Sequence, residues 1–564
     1  MSHTISRRAF IKTTSTAAAV GLGGCGLLLK GCATGKKYSV VIKNGLIYDG
    51  RGGVPFTADI GISGGIIQDV GKISASRGKL VIDASGLSVC PGFIDVHDHT
   101  DVGLLINPKA ESAVRQGITT LISGNCGSSP FPIAEGIFEE VRSNYKEVYG
   151  LDLNWSDLNS FFSRLEEKGF SVNYGTLIGH GSVRGAVVGY NDRPSKREEL
   201  LQMKSVVAQY LKDGALGLST GLEYAPGSYA PAEEIEQLCY DVSAAGGVYA
   251  THMRSEGAFL IESLNESIDV SRKTGVSLQI SHFKIAYPEN WGKVDDAISC
   301  IEQAAADGIS VFCDRYPYTA GSTGLSFYLP LWAKQGTTDE FLSRLKDPTL
   351  EARLREHVRE QERKLVTWKN VVITDVVTEA NKKYVGKSIL EAQNETGKDA
   401  FEFIRDILIE ERARVGMVTF MMSEDNLKKI LAHPLVGVGC DGSAIAPYGP
   451  LGEGKPHPRS YGTFPRVLGK YVRDEKILPM EKMIQKITTL PASKFGLGRR
   501  GTLLPEHAAD IVVFDEKTVI DVGTYEDPHR YPRGIVHVLV NGQATVTNGN
   551  HTEALAGKVI RKKN

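Results

Sequence analysis

The sequence carries almost no net charge, and this excludes several classes of partner. Its 564 residues include 65 basic and 66 acidic side chains, which leaves a formal net charge of -1. A protein that attracts nucleic acid or an anionic membrane needs a surplus of lysine and arginine, or a basic stripe with interleaved aromatic residues, and the sequence has neither. We therefore expect no nucleic-acid partner.

Cysteine is also scarce, and its spacing excludes a disulfide scaffold. The chain has eight cysteines, and those beyond residue 32 are widely scattered. Disulfide-rich domains space their cysteines closely, whereas a chain of this length can bury a core large enough to fold without disulfides. Hydrophobic residues make up 41% and charged residues 23% of the chain, which is typical of a globular protein with a large domain and an accessory one.

The apolar segment at the N-terminus is too short to span a bilayer. SRRAFIK (Ser6–Lys12), followed by TTSTAAAVGLGGCGLLL, has the layout of a twin-arginine export signal. Cys25 and Cys32 each follow small residues, as the lipid-acceptor cysteine of a bacterial lipoprotein does. We expect residues 1–36 to be a signal and linker, and the protein to be periplasmic or lipid-anchored. The sequence leaves open which cysteine carries the lipid and whether the signal is cleaved without lipid attachment. It also leaves open that these residues are a disordered N-terminus with two incidental cysteines.

Eight apolar runs in the middle of the chain predict a (β/α)8 barrel. Most begin with glycine, and each ends in polar residues before a segment with helical periodicity, such as residues 231–246. Apolar strands that alternate with helices are typical of a parallel sheet buried on both faces, and eight of them close a barrel. The runs are residues 92–99, 117–127, 173–181, 214–224, 246–254, 275–284, 308–318 and 435–443.

The two ends of the chain predict a second, smaller domain. Residues 37–91 and 500–564 both alternate apolar and polar residues between glycine turns, which indicates two halves of one β-sandwich. The barrel then occupies residues 92–499. Residues 319–434, between strands seven and eight, are too many for a simple crossover, so we expect an inserted lid at about 325–430.

Six side chains with metal-binding chemistry follow the ends of these strands. His97 and His99 are two residues apart, so both point to the same face of the first strand. The active sites of such barrels lie at the carboxyl ends of the strands, where all six would meet. This chemistry suits zinc, and six ligands exceed the needs of one tetrahedral ion, so two metal positions are expected. The six are His97, His99, Cys126, His252, His282 and Asp441.

Two further histidines, His180 and His457, lack the support of this pattern. A lone histidine near a strand end is more often hydrogen-bonded or packed than bound to a metal. We therefore expect them to hydrogen-bond behind the site or to pack.

Several motifs together resemble those of a known family. FIDVHDHTD, ISGNCG, THMRSEG, ISHFK, DRYPYTAGST and GCDGS are similar to motifs of the amidohydrolase superfamily and, within it, of the N-acyl-D-amino-acid deacylases, the D-aminoacylase family. The resemblance covers roughly residues 38–560. It implies a zinc-dependent hydrolysis of the amide bond of a small molecule, an N-acyl-D-amino acid, to a carboxylate and a free D-amino acid.

The resemblance also implies how the metal ligands are divided. Cys126, His252 and His282 match the ligands of a tightly bound zinc. A second, weaker position shares the bridging cysteine, and its ligands match His97, His99, Cys126 and Asp441. Hydantoinases and their relatives commonly bridge their metals with a carboxylated lysine at the end of strand four, where this sequence has Glu223 and no lysine.

Catalytic and substrate-binding roles follow from the same resemblance. Asp441 would act as general base and then as general acid towards the leaving amine. Lys284, Tyr316 and Ser322 match the family's contacts to the substrate carboxylate, and Arg254 is a further cation next to this cluster. We expect these four side chains to bind the substrate.

Two other functions stay open at this point. A cyclic amidase of the hydantoinase or dihydroorotase type, or a dipeptidase, would belong to the same superfamily. A lipid-anchored protein that binds metal or ligand without turnover is the other, although metal storage has no use for a proton shuttle at Asp441. The sequence does not define the preferred side chain, the acyl group, the number of metal ions or the oligomeric state.

Overall fold

The structure, a computed structural model, describes residues 37–562. The predicted signal, with Cys25 and Cys32, lies outside these residues, so the expectations about export and lipid attachment stay predictions. Within the described range, no helix combines the length and the apolar character needed to cross a membrane.

The N-terminal residues form five strands of a β domain. They are β1 (Tyr38–Ile47), β2 (Phe56–Ser63), β3 (Ile66–Gly71), β4 (Gly78–Asp83) and β5 (Ser88–Pro91). β1 pairs along one side with β2, and along the other first with β4 and then with β5. Every second residue of such strands turns inward, and Ile60 and Ile62 of β2 are accordingly buried.

Seven parallel barrel strands follow in the predicted order. They are β6 (Phe93–Asp95), β7 (Ile118–Ser123), β8 (Asn173–Thr176) continued by β9 (Ile178–Gly179), β10 (Gly217–Gly221), β11 (Val248–His252), β12 (Ser277–Ile280) and β13 (Val311–Arg315). Most are entirely buried, which explains why they are continuous apolar runs in the sequence.

Amphipathic helices connect and cover the strands. In the helix that follows β11, Leu260, Leu264 and Ile268 recur at intervals of four residues and are buried, and Gly275 ends the helix with a φ of 72°. The helices are α1 (Gly103–Ile106), α2 (Glu111–Val114), α3 (Phe138–Tyr149), α4 (Leu158–Lys168), α5 (His180–Val187), α6 (Arg197–Lys212), α7 (Ala232–Ala244), α8 (Leu260–Thr274), α9 (Val294–Ala306), α10 (Thr338–Lys346), α11 (Glu351–Leu365), α12 (Ile389–Thr396), α13 (Ala400–Glu410), α14 (Glu424–Ala432), α15 (Arg459–Arg466), α16 (Met480–Ile487) and α17 (Thr489–Lys494).

The segment after β13 forms an inserted layer with a core of its own. Its strands β14 (Ala320–Gly324), β15 (Val371–Asp375) and β16 (Gly416–Phe420) make a three-stranded antiparallel sheet with β16 in the middle. Tyr328, Trp368 and Phe401 are buried in the core between this sheet and helices α10–α13. The insertion therefore begins at about Ala320, slightly earlier than expected, and whether it moves as a lid stays a prediction.

The eighth strand, β17 (Val436–Val438), pairs with β13 and closes the barrel. Past its end, the backbone N–H of Asp441 donates to the carbonyl oxygen of His97, and that of His99 donates to the carbonyl oxygen of Gly442, both at 2.7 Å. The last strand is thus joined to the first at their carboxyl ends. The predicted (β/α)8 barrel is confirmed.

The C-terminal strands complete the β domain. They are β18 (Ile511–Phe514), β19 (Ile535–Val540), β20 (Gln543–Thr547) and β21 (Asn550–His551). β18 pairs with β5, so both chain ends contribute to one nine-stranded sheet, as the predicted β-sandwich requires. Along β18, Ile511 and Val513 enter the core of the β domain, whereas Val512 and Phe514 enter the core of the barrel.

Candidate active site

The six predicted metal ligands converge at the barrel mouth. They form two groups, and within each group the potential ligand atoms all lie within 4.8 Å of one another. Cys126 belongs to both groups, so a single sulfur is placed to bridge two cations. The groups are His97, His99, Cys126 and Asp441, and Cys126, His252 and His282.

Three of these residues adopt a backbone conformation that side chains other than glycine seldom take. Their φ angles are 50° at Cys126, 36° at His282 and 52° at Asp441. Each stands two or three residues past the end of its strand, where the chain turns sharply. Such strain costs of order 1 kcal/mol per residue and persists where the surrounding structure enforces it, which is common at functional sites.

Carboxylates hold three of the imidazoles from behind. The pairs are His97 Nδ1 with Asp314 at 3.0 Å, His252 Nε2 with Glu223 at 3.0 Å, and His282 Nδ1 with Glu256 at 2.9 Å. The opposite nitrogens face the centre: Nε2 of His97 lies 3.3 Å and Nε2 of His282 lies 3.6 Å from the Cys126 sulfur. Zinc-binding histidines usually have such a partner, because it fixes the ring and the tautomer.

Neighbouring charges set the ionisation of this cluster. Burial alone would raise the pKa of the Cys126 thiol, but the surrounding imidazoles, first that of His97, hold that pKa well below its usual range. Burial alone would lower the pKa of His99, whereas Asp441 and Cys126 raise it to about 10. These charges favour the thiolate, the form that binds metals, and a protonated His99 must release its proton before it binds a cation.

The donor chemistry fits zinc. Thiolate and imidazole are ligands that zinc prefers, whereas calcium and magnesium are bound mainly through oxygen. The group that contains Asp441 adds a carboxylate, which zinc also accepts. The residues present therefore match the predicted cofactor in type and in number.

A cavity of about 390 Å³ opens above the cluster. Lys284, Tyr316 and Ser322, the predicted carboxylate contacts, all line it. The buried ammonium of Lys284 donates to Oε1 of Glu256 at 2.5 Å and lies 2.8 Å from Nδ1 of His282. A cation therefore stands directly beside the metal-binding group.

Arg254 lies outside this cavity, and its predicted role as a substrate contact has no support in the geometry. Its guanidinium makes two hydrogen bonds to Glu266, at 2.8 and 3.1 Å, and donates to the carbonyl oxygens of Ser228 and Ala230. It is not among the residues that line the cavity. Strand β11 ends at His252, so closeness in sequence does not bring Arg254 into the barrel mouth.

Among the charged residues that line the cavity, Glu223, Glu256 and Arg459 were not predicted to belong to the site. Arg459, the first residue of α15, donates to Oδ2 of Asp441 at 2.8 Å, and its guanidinium carbon lies 4.8 Å from the centre of the Tyr316 ring. Glu256 contacts both Lys284 and His282. Glu256 lies four residues after His252, where β11 ends, whereas Arg459 lies 21 residues past the end of β17 and no pattern in the sequence marked it.

His180 and His457, which lacked support as metal ligands, make hydrogen bonds behind the site, as expected. His457 lies 3.0 Å through Nε2 from the carbonyl oxygen of Ala320 and accepts from the N–H of Arg459 through Nδ1. His180 lies 2.9 Å from the buried carboxylate of Glu234. Both support the cavity wall from behind.

Comparison with known proteins identifies the family. The model of the amidohydrolase family matches residues 344–546. The chain is 33% identical to D-aminoacylase of Alcaligenes xylosoxydans xylosoxydans over 93% of its own length and 98% of that protein. This chain belongs to the D-aminoacylase family of amidohydrolases.

Other members of the D-aminoacylase family are about equally similar. N-acyl-D-glutamate deacylase of Alcaligenes xylosoxydans xylosoxydans is 32% identical over 93% of this chain and 97% of that protein. A crystal structure of N-acyl-D-glutamate deacylase from Bordetella bronchiseptica, complexed with zinc and a phosphonate inhibitor that mimics the tetrahedral intermediate, matches 93% of this chain and 100% of that chain, with a TM-score of 0.78 and 30% identity. Overall similarity therefore does not select one substrate side chain.

Proposed function

We propose that this chain hydrolyses the amide bond of N-acyl-D-amino acids and releases a carboxylate and a free D-amino acid. One observation carries the proposal: a cluster with zinc-binding chemistry and a group of potential carboxylate contacts, Lys284, Tyr316 and Ser322, face the same cavity. An N-acyl amino acid presents a scissile carbonyl and a free carboxylate a few bonds apart. The names of the relatives described above support this assignment.

The metal centre would hold one ion tightly and a second more weakly. Cys126, His252 and His282 would bind the tighter ion, and the second position would share Cys126 with His97, His99 and Asp441. When bound, zinc lowers the pKa of a coordinated water to about 7 and polarises the amide carbonyl.

Asp441 would carry the proton. Burial alone would raise its pKa, but Arg459 and then His97 hold the pKa of this carboxyl well below its usual range. Asp441 is therefore a carboxylate at neutral pH and can accept a proton. A low pKa makes the group a weak base but a strong acid, so it releases the proton readily in the second step, protonation of the leaving amine.

Lys284, Tyr316 and Ser322 would fix the substrate carboxylate while the scissile carbonyl lies at the metal. With these two points fixed, exchange of hydrogen and side chain at the α-carbon drives the side chain into the cavity wall, so one configuration is favoured. Thr323 and Phe327 of the insertion line the same cavity, which fits its proposed role as a lid.

The decisive experiment is a panel of N-acetyl-D- and N-acetyl-L-amino acids assayed with the zinc-loaded protein, with a hydantoin and a β-aspartyl dipeptide as comparison substrates. Release of free amino acid from the D series alone supports the proposal. Faster turnover of the hydantoin or the dipeptide would identify a cyclic amidase or a dipeptidase instead. Binding without turnover of any compound would indicate a non-enzymatic metal-binding protein.

We also propose that the protein is exported by the twin-arginine route and acts in the bacterial periplasm, either free or anchored through a lipid on Cys25 or Cys32. The sequence of residues 6–32 supports this proposal. Because this route moves folded proteins, the metal could be bound before export.

A further inference from the structure

A second, larger cavity adjoins the one above the metal cluster. Its volume is about 920 Å³, and it lies where the insertion meets the segment around α3. The two cavities share five wall residues, which are Tyr190, Tyr224, Ala225, Thr323 and Phe327. A substrate bound at the metal therefore has room to extend well beyond an acetyl group or a short side chain.

Lys334, a residue of the insertion, supplies a cation to the wall of the second cavity. Burial lowers its pKa to about 8, and the carboxylate of Glu223 partly offsets that effect. Glu223 itself lies 3.0 Å from Nε2 of His252, a predicted metal ligand. Lys334 is thus close enough to the active site to interact with the charge of Glu223, and its side chain lines the second cavity.

Of the other two cations of this cavity, Arg412 has a counter-ion, whereas Arg414 donates to a neutral amide and its buried Nε has no partner. Arg412 forms an ion pair with Asp339 at 2.8 Å, and Arg414 donates to Oδ1 of Asn144 at 2.9 Å. Within residues 37–562, no carboxylate lies within ion-pair distance of the Lys334 ammonium. A partly buried cation without a counter-ion is unfavourable, and an anion bound beside it would recover the lost interaction.

The acidic residues of the cavity have partners of their own. Glu140 accepts a hydrogen bond from the hydroxyl of Thr338 at 2.9 Å, and Glu147 accepts one from Ser143 at 3.0 Å. Apolar side chains such as Phe327 and polar ones such as Ser326 line the remaining wall. The lining therefore offers apolar and hydrogen-bonding surface to a group that ends in an anion at Lys334.

We propose that the second cavity is a substrate subsite in which Lys334 binds a carboxylate that the substrate carries beyond the scissile amide. The inference rests on the proposed deacylase function. The carboxylate has two potential sources, a dicarboxylic acyl group such as succinyl or the side chain of an acidic D-amino acid.

The test compares Lys334→Met with the unaltered protein on two matched substrate pairs. One pair, N-succinyl-D-leucine and N-butanoyl-D-leucine, differs in the charge of the acyl group. The other, N-acetyl-D-glutamate and N-acetyl-D-glutamine, differs in the charge of the side chain. We expect kcat/KM to fall about 10- to 100-fold for the charged member of one pair, as for a lost charge-assisted hydrogen bond, and to stay within about 2-fold for its neutral partner.

Two control variants accompany the test. Lys334→Arg keeps the charge and should retain most of the preference for the charged substrate. Lys346→Met removes an exposed cation of α10 that does not line the cavity, so it should leave all four rates unchanged.

The pair that responds identifies the source of the carboxylate. The inference is overturned if Lys334→Met changes the rates of charged and neutral substrates equally, or changes neither pair. It is also overturned if the unaltered protein cleaves neither of the charged substrates. If the unaltered protein cleaves the neutral substrates, the proposed function stands whatever Lys334 does. If the unaltered protein cleaves none of the four substrates, the proposed deacylase function itself is refuted.

Discussion

Arg459 donates a 2.8 Å hydrogen bond to Oδ2 of Asp441, while Oδ1 of the same carboxylate lies 3.1 Å from Nε2 of His99. One oxygen therefore faces a fixed cation and the other faces the metal-binding group. The proposed proton carrier is held in a single orientation by a residue that lies 18 positions later in the chain.

Asp441→Asn should reduce kcat by about 10²- to 10⁴-fold, because an amide of the same shape cannot accept the proton. The zinc on Cys126, His252 and His282 should remain, since Asp441 contributes only to the other ligand group. Steady-state kinetics and metal analysis of the same preparation check both statements. Near-normal turnover would show that another base is used.

Cys126→Ala should abolish activity and remove most of the bound zinc, because it deletes the ligand shared by both groups. The measurement is zinc content per chain after dialysis, read by atomic emission. Cys300→Ala is the matched control, since Cys300 lies on α9, outside both ligand groups, and should change neither zinc nor rate. Full zinc content in Cys126→Ala would contradict the ligand assignment.

Lys284→Met should raise KM for N-acetyl-D-amino acids by about 10-fold or more, since a charge-assisted contact is worth roughly 1.5–3 kcal/mol. The preference for D over L substrates should narrow as well. The corresponding N-acetyl-D-amino acid amides lack the carboxylate, so their KM should barely respond. If the variant keeps both its KM and its selectivity, the carboxylate binds elsewhere, with Arg459 the next candidate because it also lines the cavity.

The buried carboxylate of Glu234 links stability to pH. It accepts a hydrogen bond from Arg184 and lies 2.9 Å from Nε2 of His180. Burial alone would raise the pKa of Glu234, but His180 and Arg184 lower it to about 2. A depressed pKa means that the carboxylate stabilises the folded state above the unfolded pKa of about 4.3, and that this contribution is lost as the pH falls towards 2.

Glu234→Gln should therefore lower the free energy of unfolding by about 3–5 kcal/mol at pH 7, because it leaves the buried Arg184 without its counter-ion. Below about pH 5 the difference from the unaltered protein should shrink. Urea unfolding at pH 7 and at pH 4 measures both values. Glu233→Gln, an exposed neighbour on the same helix, is the control and should cost less than about 0.5 kcal/mol. A difference that grows as the pH falls would contradict the linkage.

Replacement of Arg7 and Arg8 by lysine should leave a full-length, active precursor in the cytoplasm, because the signal is an address that contributes nothing to the barrel. Cell fractionation with an activity assay of each fraction measures this. Normal export of the variant would refute the twin-arginine proposal.

The metal cluster could be predicted because it depends on geometry that any such barrel shares. Alternation along one strand places His97 and His99 on the same face, and the carboxyl ends of parallel strands meet at one rim whatever the loops do. Cys126 and Asp441 could be predicted as ligands once strands two and eight were correctly assigned. These relationships are encoded locally, within a few residues.

Residues delivered by loops could not be predicted in this way. Glu256 and Arg459 reach the cavity because the chain folds back after its strand, whereas Arg254, nearer in sequence to a ligand, turns towards Glu266. No periodicity distinguishes these outcomes. Strand β14, Ala320–Gly324, has the sequence AGSTG, which lacks the apolar pattern of a strand, so the exact start of the insertion could not be read from the sequence.

Strand β18 also has a consequence for the order in which the molecule matures. Its alternate residues complete two cores at once, that of the β domain and that of the barrel, and it pairs with β5, which was synthesised more than four hundred residues earlier. Neither layer can close until this strand has left the ribosome. Folding must therefore finish after translation has nearly ended, and strands β1–β5 need to remain soluble without their partner throughout synthesis.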